Sequence, residues 1–310
     1  AEEAHKRVLE PHRLDRDAII LLTGLGIGPG TTHKIIDKYG SVGAMDIVKT
    51  RPYQLVRDID GIGFLKADDI ALSAGFARDG EPRIHAAVLH VLENSADTEG
   101  HCCLPEKMLL AAAAKLLGLA AQLIQNQLPS MREAGDLISE CGNDGDDWFL
   151  PSIHRKERLL AGGLLRLAGN APMIPVSDRE ITLVEALSGI RLDQTQRDAV
   201  RLAFCGGVSV ISGGPGTGKT TIAKTILLLA SRHGFEKQDI TLCAPTGKAA
   251  KRLSEATGHD ASTIHRMLGV RIGEDAEYGP HNRHGSKLCI VDESSMLDLR
   301  LAAQFIDALK

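Results

Sequence analysis

The sequence predicts a multidomain protein of α plus α/β class, in which mostly helical modules precede a domain built on a mostly parallel sheet. Three observations carry this expectation. Residues 18–77 hold an approximate repeat of glycine turns, each followed by a helix-length apolar pattern; residues 82–168 read as helices with one hairpin; from Gly207 short β-branched runs alternate with helical segments. The 310 residues leave room for two or three cores, which we divide as 1–80, 81–170, a linker at 171–190, and 191–310.

Bulk properties narrow the classes. Hydrophobic residues at 43% and charged residues at 25% fit an ordinary soluble globular chain. Aromatics at 3% speak against a base-stacking platform, and a formal charge of −4 against a protein that coats a polyanion through overall basicity. The charge is uneven: from Arg191 on there are 16 Lys+Arg against 13 Asp+Glu, leaving 20 against 27 before it, so any polyanion contact is expected to be local. The six cysteines lack a C-x-x-C and regular spacing, which points to free thiols in a reducing cytoplasm, with Cys205, Cys243 and Cys289 expected to be buried. His101-Cys102-Cys103 has no second ligand pair at matching spacing and is read as structural. The start, AEEAHKRVLE, is charged and not a signal peptide; the missing initiator Met suggests a processed chain or an excised fragment. The apolar run from Leu109 to Ile124 contains Lys115 and is too short to span a bilayer, so no membrane partner is expected.

The two repeat copies are GLGIGPGTTHKIIDKYG (24–40) and DIDGIGFLKADDIALSAGF (58–76), ending at the helix-stopping Gly40 and Gly75. Gly26, Gly28, Gly61 and Gly63 permit tight hairpins whose backbone N–H groups point outward before a helix, a geometry that holds a phosphate without reading a base. This pattern resembles a helix-hairpin-helix pair. The alternative is a compact helical scaffold whose hairpins only pack, because Asp58, Asp60, Asp68 and Asp69 bring repelling charge to the second copy. Helices follow over Ile84–Leu92, Pro105–Leu117 and Leu119–Ala134, then DLISECGNDGDDWFLPSI reads as a hairpin, making residues 81–170 winged-helix-like. Its tip carries Asp144, Asp146 and Asp147, a poor grip for a backbone, so the module is taken as a spacer. A further helix, Arg155–Leu167, leads to GNAPMIPVSD, read as the start of the linker.

The last domain opens on VSVIS (208–212), an expected strand, followed by GGPGTGKTT and an expected helix from Thr221 to Arg232. This is G-x-x-x-x-G-K-[ST] in strand–loop–helix context. Gly213, Gly214, Pro215, Gly216, Thr217 and Gly218 would wrap a β-phosphate, with Lys219 at the β/γ-phosphates, Thr220 offering its hydroxyl to Mg²⁺ and Thr221 closing the loop; ATP or another nucleoside triphosphate is the expected ligand. Two more strands, DITLCAP (239–245) and KLCIV (287–291), follow, and the second delivers Asp292 and Glu293. Asp292 is expected to hold Mg²⁺ through water and Glu293 to polarise the attacking water. Upstream, Asp193 and Gln196 read equally as a helix-capping pair and as an acid followed by an adenine-reading glutamine.

LDQTQRDAV, GGPGTGKTT, CAPTGKAAKRL, STIHRML and IVDESSM, in this order, resemble the Q motif and motifs I, Ia, Ib and II of superfamily 1 DNA helicases, in wording closest to the RecD-like group (the exodeoxyribonuclease V alpha-subunit group). PYQLVRDIDGIGFLKADDIA is similar to the helix-hairpin-helix region that longer members carry ahead of the motor. The resemblance implies a RecA-like first motor domain, an ATP-dependent helicase moving 5′ to 3′ on single-stranded DNA, and contacts with junctions of single and double strands. It also implies roles in repair or recombination, with Thr246, Lys248, Thr263 and His265 along the DNA; alternatively, Thr246 caps a helix and His265 packs beside Met267. Residues 269–285 sit where a strand-separating pin or a surface loop would project. The family motor continues past the acids into a second RecA-like domain with arginine fingers. The sequence stops at Lys310 before it, so half of a split ATP site is expected, with weak turnover; such fingers contribute about three to five powers of ten. Two other readings are a nucleotide-switched DNA-binding scaffold and the motor part of a conjugative relaxase. The latter needs a histidine cluster and a catalytic tyrosine, whereas the only tyrosines are Tyr39, Tyr53 and Tyr278, with no such cluster.

Overall fold

The computed structural model describes residues 2–143, 145–170, 173–270 and 276–310, and side chains from Arg13 on, Asn170 excepted. Wing-tip Asp144, the first linker residues 171–172, and positions 271–275 of the 269–285 segment lie outside the described residues. The chain forms two compact units that meet at Pro151 and Ser152.

The first unit begins with helices α1 (Glu2–Gly24), α2 (Pro29–Thr50), α3 (Leu55–Asp58) and α4 (Phe64–Ser73). The repeat uses one device twice. A glycine with positive φ (Gly26, 81°; Gly61, 93°) turns the chain, and a second, extended glycine (Gly28, Gly63) caps the next helix. Where the sequence expects the repeat helices to stop, α2 breaks at Gly40 (φ 69, ψ 169) and α4 ends before Gly75 (φ 93). Leu22, Ile35, Ile47, Leu55, Ile62 and Ile70 close a common core.

A second core forms where α5 (Glu81–Asn94) packs on α6 (Glu106–Leu117), α7 (Ala121–Gln125) and α8 (Leu128–Glu133). The helix expected over Leu119–Ala134 is two helices instead, because Pro129 starts a new one in the first turn of α8. The expected hairpin is present as β2 (Ile138–Gly142) and β3 (Gly145–Phe149), with β1 (Leu104–Pro105) on its other edge, in register Leu104↔Trp148 and Ile138↔Phe149. The two cores of this unit are not separated at residue 80. Phe64 of α4 belongs to the second core, stacked between Tyr53 and His90, while Ala67 and Ile70 belong to the first.

The second unit contains α9 (Pro151–Asn170), α10 (Asp178–Ser188), α11 (Gln194–Ala203), α12 (Lys219–Arg232), β4 (Ile240–Ala244), α13 (Gly247–Thr257), β5 (Ala261–Thr263), α14 (Ile264–Met267), β6 (Leu288–Val291) and α15 (Leu299–Asp307). The strands form a parallel sheet in order β5-β4-β6, with Leu242↔Ala261 and Ile240↔Leu288 as partners. Parallel neighbours need a crossover, and α13 supplies it between β4 and β5. Helix α9, which the sequence grouped with the middle module, packs in this unit: Arg166 Nη2 donates to the Ile306 carbonyl at 3.0 Å, and a Cβ on Gly207 would meet Ala168 Cα at 2.8 Å.

Three expectations fail here. The stretch 171–190 is not a plain linker, since Ser177 and Glu180 form a reciprocal capping box that starts α10, and Ile181 and Val184 are buried. Residues 208–212 form no ladder, and Val208 and Val210 are 44% and 78% exposed. β-Branched composition favours a strand only where a partner strand supplies hydrogen bonds and packing, and among the described strands β6 pairs with β4 alone. Cys205 is exposed, carried outward past the end of α11, whereas Cys243 is buried and Cys289 half-buried. The hydrogen bond with the Cys243 thiol, followed by burial, pushes the Cys289 thiol well above its ordinary value.

Candidate nucleotide site and nucleic-acid cleft

The glycine loop emerges from the core that holds β6. Ile211, two residues before Gly213, packs against the core that holds Ile222 and Ile226 of α12, and Leu288 and Ile290 of β6 pack against the same core. That shared core brings the loop and the strand ending at Asp292 into one neighbourhood. Gly216 and Gly218 have φ of 79° and 81°, which only glycine adopts freely, and α12 begins at Lys219 rather than at the expected Thr221. A Cβ on Gly213 would meet Thr217 Oγ1 at 2.5 Å, and one on Gly218 would meet Gln196 Nε2 at 2.6 Å. A Cβ built on Gly214 or Gly216 would meet nothing within 4 Å, so the side of the loop those positions face is open, and exposed Pro215 lies between them.

The Lys219 ammonium folds over the loop and donates to the carbonyls of Gly213 (2.5 Å) and Gly214 (3.0 Å). A cation held over an open, glycine-lined concavity at a helix N-terminus has the donor set that suits a phosphate chain. Thr220 is exposed beside it and Thr221 half-buried. Of the two roles the sequence left open for Gln196, the geometry displays the capping one. Gln196 Oε1 accepts from Asp193 N–H (3.0 Å), completing a capping box, while its Nε2 donates to the Thr217 carbonyl of the loop at 3.1 Å.

At the carboxyl end of β6, Asp292 N–H donates to the Cys243 carbonyl at 3.0 Å, so β4 fixes the acid's backbone. Glu293 is exposed and its N–H donates to Asp292 Oδ1 at 3.0 Å. Among the described residues Glu293 is the only non-glycine with positive φ (54°).

The four residues expected along DNA lie around the ends of β4 and β5. Thr246 Oγ1 accepts from Ala249 N–H, capping α13, and Thr263 Oγ1 accepts from Arg266 N–H, capping α14, each at 3.2 Å. The helix-capping alternative is therefore present at both. Lys248 and His265 are exposed, whereas Met267 is buried. A cleft of about 470 Å³ opens between α13, β5 and α14, lined by Lys251, Ser254, Glu255, Ser262, Thr263 and Arg266, with Lys251 paired to Glu255 at 3.8 Å. Of the four expected residues only Thr263 lines it. Sequence reading missed Lys251, Ser254 and Arg266. The spacing 247, 251, 254 is one face of a helix and would have found the first two.

In the first unit, Gly26, Gly28, Gly61 and Gly63 have nothing within 4 Å of a built Cβ, so both hairpin surfaces are open. Lys34 Nζ donates to the Asp60 carbonyl (3.0 Å) and Lys66 Nζ to the Gly61 carbonyl (2.9 Å), placing two cations at the second hairpin. The acids that speak against phosphate are partly turned away. Asp68 is 8% exposed and bonded to Arg83 and Tyr53, and Asp58 accepts from Tyr39 Oη and Gln54. The Tyr39 hydroxyl, followed by Gln54, holds the Asp58 carboxyl below its ordinary value; burial, then Asp58, pushes Tyr39 up to about 12. Among the described residues no group of three or more His, Cys, Asp or Glu is placed to hold a metal, and no single helix is long and apolar enough to cross a membrane.

Comparison with known proteins agrees with this anatomy. Residues 12–103 match the model of the ATP-dependent RecD2 DNA helicase HHH domain, and residues 196–310 match that of an AAA domain. The ATP-dependent RecD2 DNA helicase of Deinococcus radiodurans is 30% identical over 96% of this chain and 42% of its own length. The RecBCD enzyme subunit RecD of Mycolicibacterium smegmatis is 34% identical over 63% of this chain and 36% of that protein. For the Haemophilus influenzae RecBCD subunit RecD the figures are 39%, 37% and 21%, so the chain spans less than half the length of each relative. With a segment of each unit matched, and both shared in one order with a single relative, the chain is similar to the RecD-like helicases along most of its length.

Proposed function

We propose that this chain carries the nucleotide-binding half and the DNA-facing surfaces of an ATP-dependent DNA helicase, moving 5′ to 3′ on single-stranded DNA in cytoplasmic repair or recombination. The observation that supports it most is the loop itself: Lys219 folded over the Gly213 and Gly214 carbonyls, with the loop in one core with the strand that ends at Asp292-Glu293. Thr220 and Asp292 would hold Mg²⁺, and Lys219 would give up its two carbonyl contacts to counter the β/γ-phosphate charge. When bound, the metal would supply positive charge against the charge that develops on the phosphates. Glu293 would orient and deprotonate the attacking water, its exposed position leaving room for that water. Thr246, Lys248, Thr263 and His265, with Lys251 and Arg266 in the cleft, would follow a single strand through its phosphates, and the two glycine hairpins would grip a backbone near a junction.

The test is equilibrium binding of Mg²⁺-ATP, with hydrolysis measured with and without single-stranded DNA, for the wild type and Lys219→Ala. Loss of one charged contact to phosphate predicts roughly a tenfold to hundredfold weaker ATP affinity for the variant. Equal affinity in the two proteins would sink the reading.

A further inference from the structure

Helix α10 lies in the stretch read from sequence as a linker, and it carries a carboxylate with no part in the proposed chemistry. Glu185 is 8% exposed. Its Oε1 accepts from the Leu192 N–H at 2.8 Å, and its Oε2 takes the Arg197 guanidinium. Leu192 immediately precedes Asp193, the cap of α11, and Arg197 lies one turn into that helix. One carboxylate thus ties down both sides of the α11 N-terminus. Asp178, at the start of α10, holds Arg201 one turn further on. From that fixed terminus Gln196 reaches the nucleotide loop, with Nε2 on the Thr217 carbonyl at 3.1 Å and against the α-carbon of Gly218, where a Cβ would come within 2.6 Å.

A buried carboxylate costs desolvation that an apolar side chain would not, and what it supplies is geometry. An apolar residue at 185 could fill the same space. It would leave the Leu192 N–H without its acceptor and Arg197 with only the longer pair to Asp178 (3.9 Å), and free α11 to shift. A shift of α11 moves Gln196 relative to the loop whose glycines must meet the phosphates.

We propose that Glu185 is a positioning residue for the nucleotide loop, acting through Gln196; this rests on the proposed nucleotide site. The test is a titration of the whole chain with a fluorescent N-methylanthraniloyl-ATP and Mg²⁺, alongside thermal melting. The proteins are wild type, Lys219→Ala, Glu185→Gln, Gln196→Ala and the Glu185→Gln/Gln196→Ala double variant. Glu185→Gln is expected to weaken binding about 5- to 20-fold, and by less than about twofold when Gln196 is already Ala, a coupling typical of residues in one network. Its effect on melting temperature is expected to be the same in both backgrounds. A role confined to folding would move the melting temperature and leave affinity alone. Glu185→Gln binding within twofold of wild type, or weakening by the same factor in the Gln196→Ala background, overturns the proposal. If Glu185→Gln does not fold, Arg197→Gln takes its place in the same cycle, with a threefold to tenfold weakening expected and the same overturning outcomes. Wild type binding no better than Lys219→Ala would instead remove the nucleotide reading, and the positioning role with it.

Discussion

Glu293 concentrates chemistry and conformation in one residue. A non-glycine in the left-handed region costs on the order of 1–2 kcal/mol, because Cβ crowds the following carbonyl. Here the bend is held by Met296 N–H on the Glu293 carbonyl (3.0 Å) and by the Asp292 carboxylate on the Glu293 N–H (3.0 Å). Such outliers persist where the surroundings over-determine them, commonly at functional sites. Glu293→Gly should therefore stabilise the fold by about 0.5–1 kcal/mol while reducing ATP hydrolysis, whereas Glu293→Gln should reduce hydrolysis at unchanged stability. Urea midpoints separate the two, and equal midpoints for Gly and Gln would mean the bend stores no strain. No sequence rule points to this bend. Asp-Glu after an apolar run announces two acids at a strand end, and the conformation of the second is set by the turn from Ser294 to Met296.

At the scale of elements, the joint between the two cores of the first unit turns on one ion pair. Arg83 donates from Nε and Nη2 to both oxygens of Asp68 (2.8 and 2.9 Å), Tyr53 donates to the same carboxylate (2.8 Å), and the paired side chains are 8% and 11% exposed. The Asp68 bond raises the Arg83 pKa, keeping it charged. Removing one partner of a buried pair costs about 3–5 kcal/mol, because the other charge stays buried. Asp68→Ala should lose that much in urea unfolding, and Asp68→Leu/Arg83→Met should recover most of it. A double variant no better than the single one would locate the stability elsewhere. In the sequence Asp68 reads as one more surface acid beside a hairpin, since its partner lies fifteen residues away in a different segment. By contrast, the repeat helices and the hairpin at 138–149 are legible because their signals are local: glycine stops, helical spacing and a Gly-Asn-Asp-Gly turn. The Ser177–Glu180 box is an equally local signal, masked by the two prolines just ahead of it.

The described part of the 269–285 segment folds back on its own unit. His284, near its end, shares a hydrogen bond with Ser286 (2.5 Å), its N–H donates to the Ala308 carbonyl (2.7 Å), and its ring stands edge-on to Tyr278. Burial holds the His284 imidazole below its ordinary value, with Lys310 adding to the effect and Glu277 opposing it. An unfolded imidazole titrates near about 6.5, so on acidification the unfolded chain binds this proton first. Its contribution is fully present above about pH 6.5 and is lost as pH falls through the lower folded value. His284→Asn should therefore show a smaller drop in melting temperature between about pH 7.5 and 5.5 than the wild type; an identical drop would assign the acid sensitivity to other groups.

For the whole molecule, the two compact units divide the proposed tasks. The glycine hairpins lie in the first, and the loop, the acids and the cleft beside α13 in the second. The strand–loop–helix pattern was legible because each phosphate contact needs its residue type at a fixed offset. The boundary at residue 151 was not, because which core a helix joins is decided by packing between segments far apart in sequence. A ligand that binds one unit stabilises that unit alone, by about 2.7 kcal/mol when its concentration is about a hundred times the dissociation constant. For a domain of this size, about 1 kcal/mol moves the melting temperature by about 2–4 °C. Calorimetry with Mg²⁺-ATP at that excess should show one transition rising by about 5–10 °C and a second that stays in place. Lys219→Ala should shift the first by far less at the same concentration. A single transition that moves as a whole would mean that both units unfold as one cooperative body, and that nucleotide bound at Lys219 is felt as far as the glycine hairpins.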